Sequence, residues 1–244
     1  LRNLKATIAY EGTNYYGWQV QPNLPTIQGT IEKALYTITG EKISLIGAGR
    51  TDAGVHALGQ VANFRTNKQI DETSLKRALN SLLPPDIRIL NIELVPPDFH
   101  SRFLAKAKEY HYRVYGGEVV SPFHYRYVWQ VNAPLDIEAM REGGKHFIGE
   151  KDFTAFQVGD ARERNPIRRI FSFEIVEEDE FIIFKVRAES FLKYMVRRMV
   201  GLLIEVGLGK REPSEIMEII EEKDRDQARK LAPPQGLFLV KVEY

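Results

Sequence analysis

A chain of 244 residues with 43% apolar and 11% aromatic residues has ample material for a globular core, in one large domain or two small ones. It contains no cysteine, which excludes disulfides, thiol nucleophiles, iron–sulfur clusters and thiolate zinc sites and fits a reducing cytosol. The formal net charge is +1, so a face that attracts a polyanion must come from segregation of charge rather than from an excess of it.

In chain order, residues 4–10 (LKATIAY) alternate as a strand. Ile27, Ile31, Leu35 and Ile38 then make one helical stripe, with Pro25-Thr26 before it and Gly40 after it. KISLIGA and GQVANF read as strands flanking the stretch GAGRTDAGVH, residues 47–56. Asp71 caps a helix whose apolar face is Leu75, Leu79 and Leu82, and Pro84-Pro85 must end it; IRILNIELV is another strand. The first half is therefore βαββαβ. The second half opens on KEYHYRVY, with Tyr110, Tyr112 and Val114 on one face and His111, Arg113 and Tyr115 on the other. A helix near 135–148, strands at IFSFEIV and FIIFKVRA, a helix over 191–207, a short helix after Pro213 and the strand LFLVKVEY follow. The expected class is α+β: two ferredoxin-like (split βαβ) halves, residues 1–105 and 106–244, with antiparallel sheets, helices on one face and a central cleft.

No stretch approaches the roughly 18 apolar residues of a membrane helix, and LRNLKATIAY lacks the apolar core of a signal peptide, so the chain reads as soluble, with no membrane partner. Five scattered histidines form no HExxH pair, so no metal is expected. Cations gather at Arg102, Lys106, Lys108 and Arg113, at Arg162, Arg164, Arg168 and Arg169 against Asp160 and Glu163, and at Lys185, Arg187, Lys193, Arg197 and Arg198. Acids concentrate at 174–180 and 212–226, a separation that would let a nearly neutral protein present a basic face to RNA; ordinary solvated strand faces are the competing explanation.

The stretch GAGRTDAGVH is neither a Walker loop, which closes with Lys-Ser/Thr at a helix start, nor GxGxxG. Its spacing is G-x-G-x-x-x-x-G, and Asp52 would repel an approaching phosphate. Taken alone, Asp52 would be a turn residue making an Asx-type hydrogen bond.

GAGRTDAGVHA, however, closely resembles the signature loop of the TruA family of tRNA pseudouridine synthases. AYEGTNYYGWQ resembles the family's opening strand and loop, PDFHSRFLAKAKEYHYRVY its middle block, SFLKYMVRRMVGLLIEVG its late helix and PPQGLFLVKVEY its closing strand. The resemblance implies the pseudouridine synthase fold and an isomerase that acts on uridine in the anticodon stem-loop of tRNA, at tRNA positions 38, 39 and 40. It implies a cytoplasmic homodimer with tRNA as partner, and chemistry that needs no cofactor. Asp52 is then the catalytic aspartate acting on a flipped-out base, Tyr110 stacks on the uracil and can assist proton transfer, and Arg197 is the cation paired with the carboxylate. Arg50 enters the place of the flipped nucleotide, with a phosphate contact as the alternative, and Leu237 packs beneath the uracil, with a plain core role as the alternative. Composition alone leaves Arg198 as a rival to Arg197 and otherwise makes it an RNA-binding cation. His56 is expected to fix the loop or touch RNA. On the same resemblance, Leu1 and Tyr244 imply no appended RNA-binding module.

Two other classes compete. A non-catalytic RNA-binding protein of paired ferredoxin-like domains would suit the sheet aromatics, but the RNP1 pattern is absent. A zinc-dependent base deaminase needs PCxxC, which a chain without cysteine cannot supply.

Overall fold

The computed structural model describes residues 1–158 and 165–244, so Asp160, Arg162, Glu163 and Arg164 lie outside the described residues. The elements in order are β1 (Arg2–Tyr10), α1 (Ile27–Thr39), β2 (Ile46–Gly47), β3 (His56–Thr66), α2 (Glu72–Leu82), β4 (Ile87–Val95), β5 (Ala107–Tyr115) and β6 (Trp129–Gln130). They continue with α3 (Ile137–Lys145), β7 (Gly149–Asp152), β8 (Ile167–Glu178), β9 (Phe181–Ala188), α4 (Met195–Gly207), α5 (Glu215–Glu222) and β10 (Leu237–Glu243). Short 3-10 turns span Thr154–Phe156 and Pro234–Gly236. This mixed α+β chain divides into two compact units, one of residues 1–106 and 238–244, the other of residues 107–237.

In the first unit β1 lies between β4 and β3, antiparallel to both, and β2 pairs antiparallel with β3 through Ile46–Asn63 and Gly47–Ala62. That is the split βαβ arrangement. α1 starts where extended Thr26 accepts the Gly29 N–H and ends where left-handed Gly40 returns its N–H to Tyr36, as its sequence signals require. Ile27, Ile31 and Leu35 are buried, while Ile38 is half-buried and Ala34 and Thr39 complete the face. Asp71 caps α2 by accepting the Ser74 N–H at 2.9 Å. The apolar face departs from expectation at its end: Leu82 is 50% exposed and Leu83 is buried instead. Leu83 precedes Pro84, which disfavours helical backbone at that residue; the chain turns extended there and swings the Leu83 side chain inward. Of KISLIGA only Ile46–Gly47 pairs, although Ile43 and Leu45 are buried.

Because β2 covers only the Ala62–Asn63 part of its edge, β3 has room for another neighbour. β10 takes it, parallel, through Phe238–His56 and Leu239–Ala57. The closing strand, grouped by sequence order with the second half, thus contributes residues 238–244 to the first unit, and the expected all-antiparallel sheet carries a parallel pair.

In the second unit β9 lies between β5 and β8, antiparallel to both, and β7 pairs antiparallel with the far edge of β8. Tyr110, Tyr112 and Val114 are buried and His111, Arg113 and Tyr115 half-buried, the alternation that the sequence predicts. β6 adds a short parallel pair to β5. α4 begins at Met195, not 191, because Tyr194 adopts left-handed backbone (φ 63, ψ 2), which a right-handed helix cannot continue through. α4 is apolar nearly all round, as befits a helix enclosed by its unit. No helix among the described residues is long and apolar enough to cross a membrane.

Candidate active site

GAGRTDAGVH runs from β2 into β3. The Ala48 N–H still donates to Val61 O at 2.7 Å, after which the chain leaves the sheet. Gln60, fully buried in β3, donates to Gly49 O at 2.9 Å, and the hydroxyls of Tyr10 and Thr51 lie 2.7 Å apart. Burial pushes the Tyr10 phenol well above the usual tyrosine range, against the opposing pull of its hydrogen bonds to Thr51 and Gln60, so it stays a neutral donor.

A second loop, from AYEGTNYYGWQ, closes on the other side. The Trp18 N–H donates to Thr51 O at 3.1 Å and the Gly54 N–H to Tyr15 O at 3.3 Å. Gly17 permits this approach: its φ is +85, and a Cβ there would lie 2.5 Å from Thr51 O. His56 Nδ1 accepts the Gly12 N–H at 3.0 Å while the ring stacks on Phe238 at 4.7 Å. Accepting at Nδ1 places the proton of the neutral ring on Nε2, so Glu11, 3.6 Å from Nδ1, faces an acceptor nitrogen and not a cation. With 1% exposure, His56 is buried and fixes the loop. The two sequence blocks are one object: a turn gripped from both sides with half-buried Asp52 on it and exposed Arg50 beside it. The Val55 N–H closes that turn onto Asp52 O at 3.2 Å, so its main-chain closure does not require the carboxylate. Gln60, which sequence reasoning missed, carried a readable signal, an amide within an apolar strand.

The second unit holds Tyr110, Arg197 and Leu237. Tyr110 is 7% exposed and meets Phe191 edge-on, with ring centroids 5.1 Å apart. Arg197, 8% exposed in α4, donates from Nε to Ala232 O at 2.7 Å, and the Ala232 N–H returns to Arg197 O at 3.1 Å. A Cβ on Gly201 would lie 2.2 Å from Lys230 O, so this glycine is what lets the 230–232 backbone rest on the helix. Tyr112 donates to Pro233 O at 2.7 Å; burial pushes its phenol up, and the Arg197 charge opposes that shift. The segment leading into buried Leu237 is therefore tied to both α4 and β5. Tyr110 and Arg197 are also linked through residues 191–194, since Phe191 packs on Tyr110 and the Tyr194 ring sits 5.2 Å from the Arg197 guanidinium carbon.

Arg198, read from the sequence as an RNA-binding cation, has carbonyl partners within its own unit. It donates to Gln157 O at 2.8 Å and Ala155 O at 3.3 Å, fastening the Thr154–Phe156 turn. Burial, then repulsion from Arg225 and Arg229, pushes its pKa down. The third cation cluster is thus no single surface patch: Arg197 is buried, Arg198 is bound to carbonyls, and Arg187 lies 4.8 Å over Phe171.

The family model described as tRNA pseudouridine synthase matches residues 6–104 and 144–244. The chain is 43% identical over 244 residues to "tRNA pseudouridine synthase A" of a Thermoanaerobacter species, covering 100% of both chains. It is 45% identical to the protein of that name from Acetivibrio thermocellus, and 44% to that from Caldicellulosiruptor bescii, again over 100% of each chain. The chain belongs to the tRNA pseudouridine synthase family. It is an isomerase acting on uridine in tRNA.

Proposed function

We propose that this isomerase converts uridines 38, 39 and 40 of the tRNA anticodon stem-loop, with Asp52 as the carboxylate that acts on a flipped-out nucleotide. Uridine and pseudouridine are isomers: the C1′–N1 bond breaks, the uracil turns, C1′ bonds to C5, the C5 proton leaves and N1 takes one up. The balance needs neither an oxidant nor ATP, but it needs a carboxylate at a defined position and a site that retains the detached base. The observation that carries the reading is the Asp52 turn, fixed by main-chain and buried side-chain bonds from both sides while the carboxylate stays half-buried. In this reading Tyr110 stacks on the uracil, Arg197 keeps the reacting carboxylate ionised, Leu237 packs beneath the base and Arg50 enters the space it vacates.

Incubation with unmodified tRNA, followed by carbodiimide treatment and primer extension, should give new stops at 38, 39 or 40 where these are uridines. Stops elsewhere in tRNA would refute the assigned position. The enzyme works in the cytoplasm, a compartment that suits a chain without cysteine. It acts as a homodimer, since a net charge of +1 makes one chain a poor clamp for folded tRNA. Light scattering at micromolar concentration should report twice the chain mass, and a fully active monomer would exclude this.

A further inference from the structure

Among the described residues, the non-glycine positions with positive φ are Asn23, Asp179, Tyr194 and Lys223. Asn and Asp tolerate left-handed backbone, and Lys223 closes α5 while its ammonium pairs with Asp152 at 2.7 Å. Tyr194 is the anomaly, an aromatic residue at φ 63 directly before α4, where glycine or asparagine would make the same turn with less strain. What its side chain does there is specific. The ring lies 5.2 Å from the Arg197 guanidinium carbon and 4.8 Å from Lys193 Nζ. One turn of helix separates Tyr194 from Arg197, and left-handed backbone at the first of them turns its ring onto the guanidinium. The segment is anchored at both ends, by Phe191 against Tyr110 and by the Met195 N–H bonded to Leu192 O at 3.2 Å.

We infer that Tyr194 is a positioning residue for the isomerisation: its strained backbone aims an aromatic face at Arg197, which the Ala232 carbonyl holds at Nε, and the two contacts together fix the guanidinium plane. The inference rests on the reading of Arg197 given above. A cation–π contact to a desolvated guanidinium is strong enough to hold the orientation of a planar group, and misorientation of such a group lowers turnover before it lowers affinity.

The test compares Tyr194→Asn, Tyr194→Phe and Arg197→Lys, and Tyr194→Asn in the Arg197→Lys background, by tritium release from C5-labelled tRNA and by thermal unfolding. Asparagine accepts the backbone without the ring, so Tyr194→Asn should lower kcat about tenfold with KM for tRNA within about twofold. Its unfolding temperature should stay within about 3 °C, since relief of strain offsets the lost half-buried ring. Tyr194→Phe, which keeps the ring, should recover most of the turnover. In the Arg197→Lys background the Asn substitution should have no further effect. Wild-type kcat in Tyr194→Asn beside a crippled Arg197→Lys would overturn this inference alone, as would the same tenfold loss in both backgrounds. Wild-type kcat in Arg197→Lys would overturn the reading of Arg197 and this inference with it.

Discussion

Replacement of Asp52 by Asn is expected to reduce pseudouridine formation to background while leaving the fold and tRNA affinity in place. The substitution keeps the size of the side chain and removes its charge and nucleophilic oxygen, and the Val55 N–H to Asp52 O bond that closes the turn is untouched. The supports of the loop are equally indifferent to that charge, because Gln60 holds Gly49, Tyr10 holds Thr51 and Trp18 holds the Thr51 carbonyl. The protein should therefore still unfold in one cooperative transition, with its unfolding temperature lowered by no more than about 5 °C, the scale of about one to two kcal/mol in a chain of this size. No other carboxylate lies in GAGRTDAGVH to substitute for it. Affinity for tRNA, supplied mainly by lysine and arginine contacts to phosphate, should persist and fall steeply with added salt in both proteins. The paired assay is tritium release from C5-labelled tRNA with filter binding at two salt concentrations. Retained tritium release would end the role of Asp52 as catalyst, and loss of binding together with loss of folding would return it to a turn residue.

What the sequence discloses about this molecule depends on whether the deciding interaction is local. α1 is legible because its cap, its stripe and its terminal glycine all lie within its own residues. The Leu82 to Leu83 exchange is local too, and the rule about residues preceding proline would have found it. The start of α4 is not legible, since nothing in SFLKYM announces a left-handed tyrosine; that residue sits in a segment whose Phe191 packs on Tyr110 and whose Tyr194 ring faces Arg197. β7 is a four-residue polar edge strand, GEKD, with no apolar alternation to reveal it. The parallel pairing of β10 with β3 joins His56 to Phe238, a partnership that no window of sequence contains. The Asp52 loop is a similar case. Its residues alone favour a turn, and its importance enters through resemblance. That AYEGTNYYGWQ and GAGRTDAGVHA are two walls of one structure appears only when Gly17 is seen against Thr51.

Arg197 and Arg198 show how far adjacent identical residues diverge once about 100° of helix rotation separates them. Arg197→Met should lower kcat by about 100-fold or more, the scale on which a preorganised partner of the reacting charge acts. The role of Arg197 is read from kcat and not from stability, because the substitution removes the bond to Ala232 O and the contact with the Tyr194 ring while it avoids the desolvation of a buried cation. Arg198→Met should act on stability and spare kcat. It strips the donors from Ala155 O and Gln157 O, at roughly 1–3 kcal/mol for carbonyls left short of partners, and the repulsion relieved at Arg225 and Arg229 returns only part of that. For a chain of this length such a loss lowers the unfolding temperature by several degrees. Turnover at saturating tRNA, measured well below that temperature, should stay within about threefold of the parent. The two variants thus separate on kcat, and thermal unfolding reports the loss at Arg198. Equal loss of turnover in both, or an undiminished unfolding temperature in Arg198→Met, would contradict the division of roles, because α4 would then present either both arginines or neither to the reaction.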